Sequence, residues 1–228
     1  MDPLGDDAPC AAWSQHAAEL AVPLAAELQA WPESPTMDSL VADGYLQRIV
    51  PGVFVPPDVL SSALRRALLL GSAIGRQLRS HHVIAGESAA WVILGGTPPA
   101  PARLLTPAHR SRVAGVLVAH ASFSSGDVET VGGAPVTSPV RTALDLLRFA
   151  DATTAAGCVR ALLESGHVTE AEVESQLHSL GHHYLTRTAH RRLEALLTGT
   201  PSLAPPAPAQ EAESGAAAET GLPSAVTR

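Results

Sequence analysis

Residues 132–149, GGAPVTSPVRTALDLLRF, constrain the fold of this chain more than any other stretch. Gly132 and Gly133 supply positive φ for a turn, and Pro135-Val136 reads as a brief extended segment. Ser138 followed by Pro139 is an N-cap with proline at the first helical position. Val140, Ala143, Leu144, Leu146 and Leu147 then form a wide apolar stripe at helical spacing, while Arg141 and Asp145 stand four apart on another side. Turn, strand, cap and amphipathic helix thus follow one another within a single short run.

Composition removes several chemistries at once. All fifteen basic residues are arginine, so the 228-residue chain has no lysine. Schiff-base, P-loop and nuclease-type catalytic lysines are therefore excluded. The formal net charge is −7, which argues against a uniformly basic nucleic-acid binder, but the charge is segregated. Residues 1–45 hold eight carboxylates, among them Glu33, Asp38 and Asp43, and no arginine. Residues 46–112 hold eight arginines against Asp58 and Glu87, so phosphate contact is expected from that segment. Cys10 and Cys158 are the only cysteines and have no paired spacing. With no basic and apolar leader at the amino terminus, a reducing cytoplasm is the expected compartment. The apolar runs Ala67–Leu70 and Trp91–Leu94 are far shorter than the roughly 20 residues that cross a bilayer, so no membrane span is expected.

Along the chain, residues 10–31 read as helical, with Val22-Pro23 separating two helices. A short helix over Thr36–Asp43 is stopped by Gly44, and YLQRIVPGVFV reads as two strands around a Pro51-Gly52 turn. Helix, helix, ribbon is winged-helix order. Asp58 is the expected cap of a helix from Val59 to about Leu70 that continues toward Arg79. Short strands are expected near Val83, over Arg103–Thr106, Val116–Ala121 and Asp127–Val131, with a helix over Ser88–Leu94 ended by Gly95-Gly96. Helices follow over 152–165, after the capping box begun by Thr169, and over Thr186–Leu197. Val173, Leu177 and Leu180 are the expected inner face of the second of these, and Leu193, Leu196 and Leu197 that of the third. The fold class is α/β (mixed α+β). The expected layout is an acidic segment at 1–19, a degenerate winged helix-turn-helix at 20–57, an α/β domain at 58–150, a helical extension at 151–198 and a disordered tail at 199–228.

The 132–149 segment, together with VIAGESAAWVILGG at 83–96, resembles the AbiEi-like antitoxin and regulator proteins of actinobacteria, over roughly residues 40–150. The resemblance implies a winged helix-turn-helix before an α/β domain. It also implies a non-enzymatic transcriptional regulator that binds promoter DNA and represses its own operon beside a nucleotidyltransferase-type toxin. Many relatives carry a carboxy-terminal Vsr-like endonuclease domain; this chain has helices and a tail there, without the lysine such a site uses.

A recognition helix normally offers basic or amide side chains to bases and phosphates, whereas SPTMDSLVADG offers Asp38 and Asp43. Arg48 matches the family's basic wing, and Arg65, Arg66, Arg76 and Arg79 complete the expected DNA-binding set if they share its face. The alternative is an interaction module that has lost DNA binding, its acidic amino-terminal surface recognising a basic protein. An enzyme of another class would need polar groups converging in a pocket. His178, His182, His183 and His190 lack the third ligand and the glutamate of a hydrolytic zinc helix, so neither metal nor cofactor is assigned. They, His81-His82 and His120 read as exposed histidines. Ser88 in AGESAAW lacks the second glycine of a nucleophile elbow and reads as a helix residue, with Ala89, Ala90 and Trp91 in the core. Arg141 and Asp145 read as an ion pair on the surface or between helices, with an interaction role as the alternative.

Overall fold

A computed structural model describes residues 8–108, 112–180 and 184–199. Helix α1 (Gln15–Ala25) is capped by the Ser14 hydroxyl, which accepts from the Ala17 amide. A short strand, β1 (Gln29–Ala30), leads to α2 (Pro35–Ala42), and the hairpin β2 (Gln47–Val50) and β3 (Val53–Val55) follows. These strands form an antiparallel sheet in the order β1-β3-β2. Pro23 lies inside α1, not between two helices as expected. It sits on the exposed face with only Leu24 and Ala25 of the helix after it, so the amide bond it removes disturbs the last turn alone. Leu28 to Trp31 are accordingly not a second helix, and β1 stands between α1 and α2 where a helix-turn-helix has only a short turn.

A 3-10 turn over Pro57–Leu60 precedes α3 (Ala63–Ile74), whose cap is Ser62 and not Asp58. The α/β unit then runs β4 (Val83–Ile84), α4 (Gly86–Leu94), β5 (Ala102–Thr106), β6 (Val116–His120), β7 (Val128–Val131), β8 (Ala134–Thr137) and α5 (Pro139–Phe149). Its mixed sheet has the order β6-β5-β4-β8-β7. Pairs β4–β8 and β5–β6 are parallel, while β4–β5 and β7–β8 are antiparallel. Helices α6 (Ala152–Glu164), α7 (Glu170–Ser179) and α8 (Tyr184–Thr198) complete the described chain. The Thr169–Glu172 capping box forms at the start of α7. On α8, Leu193 is buried but Leu197 is exposed, against the expected inner face. The expected tail falls, from residue 200 onward, outside the described residues.

Two apolar clusters organise the molecule. The first joins Ala17, Ala21 and Leu24 of α1, Ile49 and Val55 of the hairpin, the Ala67–Leu70 run of α3, and Ile84, Leu104 and Val136 of the mixed sheet. It therefore contains residues from both sides of position 57. The second gathers Leu146 and Leu147 of α5 with Val159, Leu162, Val173, Leu177 and Leu193 of the following helices. Helix α4 feeds both, with Ala89, Trp91 and Val92 in the first and Ala90 in the second. The Gly132-Gly133 turn has φ of +59° and +85°, as the sequence implies, but turn geometry is only part of its role. A Cβ on Gly133 would stand 2.5 Å from Ser14 Oγ and 2.9 Å from the Ala17 nitrogen, so the cap of α1 seats directly on the β7–β8 turn.

Candidate functional site

The five arginines expected at DNA do not share one environment. Arg48 on β2 reaches Glu33 at 2.9 Å and also bonds Asp38 of α2, and its guanidinium lies 5.3 Å from the centre of the Phe54 ring. These two carboxylates hold its pKa above the ordinary arginine value. Asp38 of the expected recognition helix and Glu33 just ahead of it thus neutralise the wing arginine. Arg66 is inside the protein, 8% exposed. Its Nε and Nη2 donate to the Val92 carbonyl at 3.1 and 2.8 Å, and Nη1 donates to Leu60 at 2.9 Å. It satisfies carbonyls at the carboxy-terminal end of α4, a favourable place for a cation, and is closed to a phosphate. Burial lowers its pKa.

Arg65 is half-buried near the start of α3, whereas Arg76 and Arg79 are exposed just past its far end. A helix of this length separates them by about 15 Å at 1.5 Å per residue. Arg79 turns its Nη1 onto the Arg76 and Leu78 carbonyls at 2.7 and 3.0 Å. The structure does not gather the five into one patch.

A different set of charges converges. A cleft of about 870 Å³ opens between the mixed sheet, α5 and α7, and Glu87, Arg103, Asp127, Arg141, Asp145 and Arg148 all line it. Arg141, Asp145 and Arg148 are placed by helical geometry, at i, i+4 and i+7 on α5. Arg141 Nε donates to Asp145 at 2.9 Å and Nη1 to Asp127 at 2.9 Å, with Nη1 also 3.3 Å from the Ser122 carbonyl. One guanidinium therefore clips the 122–127 loop to α5. Across the cleft, Arg103 Nε lies 2.6 Å from Glu87, which stands in the first turn of α4 where the helix dipole favours a carboxylate. Gly86 makes this approach feasible, since a Cβ there would fall 2.6 Å from Arg103 Cδ.

Asp145 is 5% exposed, and burial raises its pKa although Arg141 and Arg148 pull it down. Its Oδ1 and the Nε of Arg148 are both buried, and neither makes a hydrogen bond among the described residues. Arg148 stacks 4.7 Å from the centre of the Phe149 ring, which is itself half-exposed. The three carboxylates are balanced by three guanidiniums, an arrangement fit for presenting polar edges to a bound molecule. The sequence marks Arg141 and Asp145 by their spacing. Glu87, Arg103 and Asp127 had no such mark, because their partners are 14 or more residues away.

The remaining candidates are structural. Ser88 is fully buried and its hydroxyl accepts from the Arg103 amide at 2.8 Å, tying α4 to β5. His82 is fully buried and not an exposed histidine: its Nδ1 accepts from the Arg79 amide at 3.3 Å, and burial, first, with His81 and Arg79 beside it, lowers its pKa. The His178 and His190 rings meet edge to face at 4.9 Å, while His182 and His183 lie outside the described residues. Among the described residues no group of three or more His, Cys, Asp or Glu is arranged to hold a metal ion. Burial pushes the Cys10 thiol up to about 11, which leaves it protonated and a poor nucleophile. No described helix is long and apolar enough to cross a membrane.

Comparison with known proteins yields one family. No curated protein matches the chain. The family model for the AbiEi antitoxin C-terminal domain matches residues 62–197, from the cap of α3 to the end of α8. The match thus takes in α6, α7 and α8, beyond the position near 150 where the sequence resemblance stops. Members of this family are antitoxins, generally non-enzymatic, which implies a cognate toxin as functional partner. With the mixed sheet, α4 and the Ser-Pro helix α5 all inside the matched span, the chain belongs to the AbiEi antitoxin family.

Proposed function

We propose that this chain is an antitoxin whose amino-terminal region recognises a basic protein surface and does not read duplex DNA. The observation that carries this reading is the closure of Arg48 by Glu33 and Asp38. A wing arginine serves DNA by meeting phosphates and releasing counterions. Here its charge is already matched within the chain, and the helix that would enter the groove contributes carboxylates. Glu19, Glu27, Glu33, Asp38 and Asp43 are the only full charges of the described residues ahead of Arg48, so an acidic surface remains. Trp31 and Tyr45, both exposed, supply the amphipathic rings enriched at protein interfaces.

The second reading is the promoter-binding regulator. It is favoured by Arg65, whose guanidinium engages no described acceptor, and by the exposure of Arg76 and Arg79. Titration of the purified chain with its own upstream DNA and an unrelated duplex, from low to moderate salt, separates the two. The protein-recognition reading expects no binding to either at low salt. Binding whose log affinity falls with log salt at a slope near −0.9 per phosphate, and which Arg65→Ala or Arg76→Ala/Arg79→Ala weakens, would overturn it in favour of the regulator.

A further inference from the structure

We infer that the cleft beneath α5 is a binding site for a small, uncharged, flat molecule with a carbonyl beside an N–H, the amide edge found on nucleobases and carboxamides. Three independent observations converge on that chemistry. At about 870 Å³ the cleft is in the size range of small-molecule sites, and Leu144, Leu180 and Phe149 give it apolar wall beside the charges. Glu87, Asp127 and Asp145 balance Arg103, Arg141 and Arg148, so the lining gives no net field to attract a polyanion or a polycation. Finally, the one wall formed by α5 carries a hydrogen-bond donor and an acceptor that the protein leaves unused.

Those two atoms are Arg148 Nε and Asp145 Oδ1. An unmade hydrogen bond to a buried charged group costs free energy, and native proteins keep few of them without reason. Every other guanidinium of the cleft is committed, Arg103 to Glu87 and Arg141 to Asp127 and Asp145. Arg148 makes no hydrogen bond or salt bridge to a described residue; its guanidinium stacks on the Phe149 ring, and its charge acts on Asp145 without a direct bond. Both residues line the cleft, and a shift of the Arg148 side chain breaks no hydrogen bond, so its Nε–H can meet a ligand carbonyl while Asp145 Oδ1 accepts from the adjacent N–H. A flat body takes its place against Phe149 and the leucines. Arginine donating to base oxygens and carboxylates accepting from base N–H groups are each used to read base edges elsewhere.

The test uses the full chain with uracil and nicotinamide as amide-edged probes and benzoate as a flat anion of similar size. Binding is followed by saturation-transfer NMR and by calorimetric titration, with circular dichroism melts of every variant. Uracil or nicotinamide is expected to bind with a dissociation constant in the millimolar range or tighter, and benzoate more weakly. Arg148→Leu and Asp145→Asn should each weaken the amide probes by about tenfold, the usual effect of losing a hydrogen bond to a charged group. Arg65→Ala, on α3, should leave their affinity unchanged. Absence of binding by both amides to the folded chain would overturn the assignment. So would benzoate binding more tightly than either, or amide affinity that folded Arg148→Leu and Asp145→Asn leave intact.

Discussion

Helices α2 and α5 open with the same two residues, and their fates differ. Ser34-Pro35 and Ser138-Pro139 each place a serine hydroxyl on the N3 amide, at 3.3 Å from Met37 and 3.4 Å from Arg141. Each helix also carries an aspartate paired with an arginine. On α2 the pair reaches outward: Asp38 and Glu33 meet Arg48 with side chains 66%, 44% and 26% exposed. On α5 the pair is Arg141 with Asp145, 14% and 6% exposed, inside a cleft wall. Local helix code is shared, so the difference lies in what the rest of the chain packs around it. Solvent screens the first pair and withdraws from the second, and the same ionic contact changes from a weak surface link to a structural commitment.

That contrast is open to direct attack. Its strongest consequence is at Arg141, where truncation to alanine leaves Asp145 as a buried carboxylate without its hydrogen-bonded counter-ion. Arg141→Ala should cost about 3–5 kcal/mol, a fall of roughly 10 °C in melting temperature, and Asp145→Asn in the same chain should restore part of it. A loss below about 1 kcal/mol would mean that the α5 pair is no more committed than the surface one.

Asp145 itself gives a sharper, smaller effect. Burial raises its folded-state pKa, so its contribution to stability is fully present below the ordinary carboxyl pKa and is lost as pH rises through the raised value. Asp145→Asn removes that loss. Between about pH 4 and pH 7 its melting temperature should therefore fall less, or rise more, than that of the native chain. Parallel melting curves across that range would show that Asp145 pays no burial penalty.

The smallest effect belongs to α2. Arg48→Ala should change stability by no more than about 1 kcal/mol, and that difference should shrink in high salt, as measured by denaturant titration. A cost of several kcal/mol would break the ordering by burial and assign the wing arginine a structural weight equal to that of Arg141.

Much of the fold was legible because its signals are local. Caps, proline at N1, paired glycines and apolar periodicity act within a few residues, so the Ser138 cap, the Thr169 box, the Gly95 stop and the strands about 83–84, 102–106 and 116–120 fell where the sequence placed them. Local signals misled where a longer-range packing partner decided. Pro23 reads as a helix break, yet α1 carries it because Ala17, Ala21 and Leu24 bury one face against the first core while the proline stays outside. Asp58 reads as a cap, but the chain first makes a 3-10 turn that buries Val59 and Leu60, and Ser62 takes the role.

The candidate site was less legible, since charge identity says nothing about burial. Five arginines in a basic segment look equivalent in a sequence, but one bonds the end of α4 from within the core and one is neutralised by Asp38 of α2 and Glu33 just ahead of it. By itself the sequence determined the class of fold, most element positions, the family and the absence of lysine chemistry, because these depend on residue types and short spacings. Only the tertiary structure decided which charges pair, which are withdrawn from water and which converge on the cleft. Those outcomes depend on residues far apart in the chain, and electrostatic free energy is set by distance and surroundings once the chain has folded.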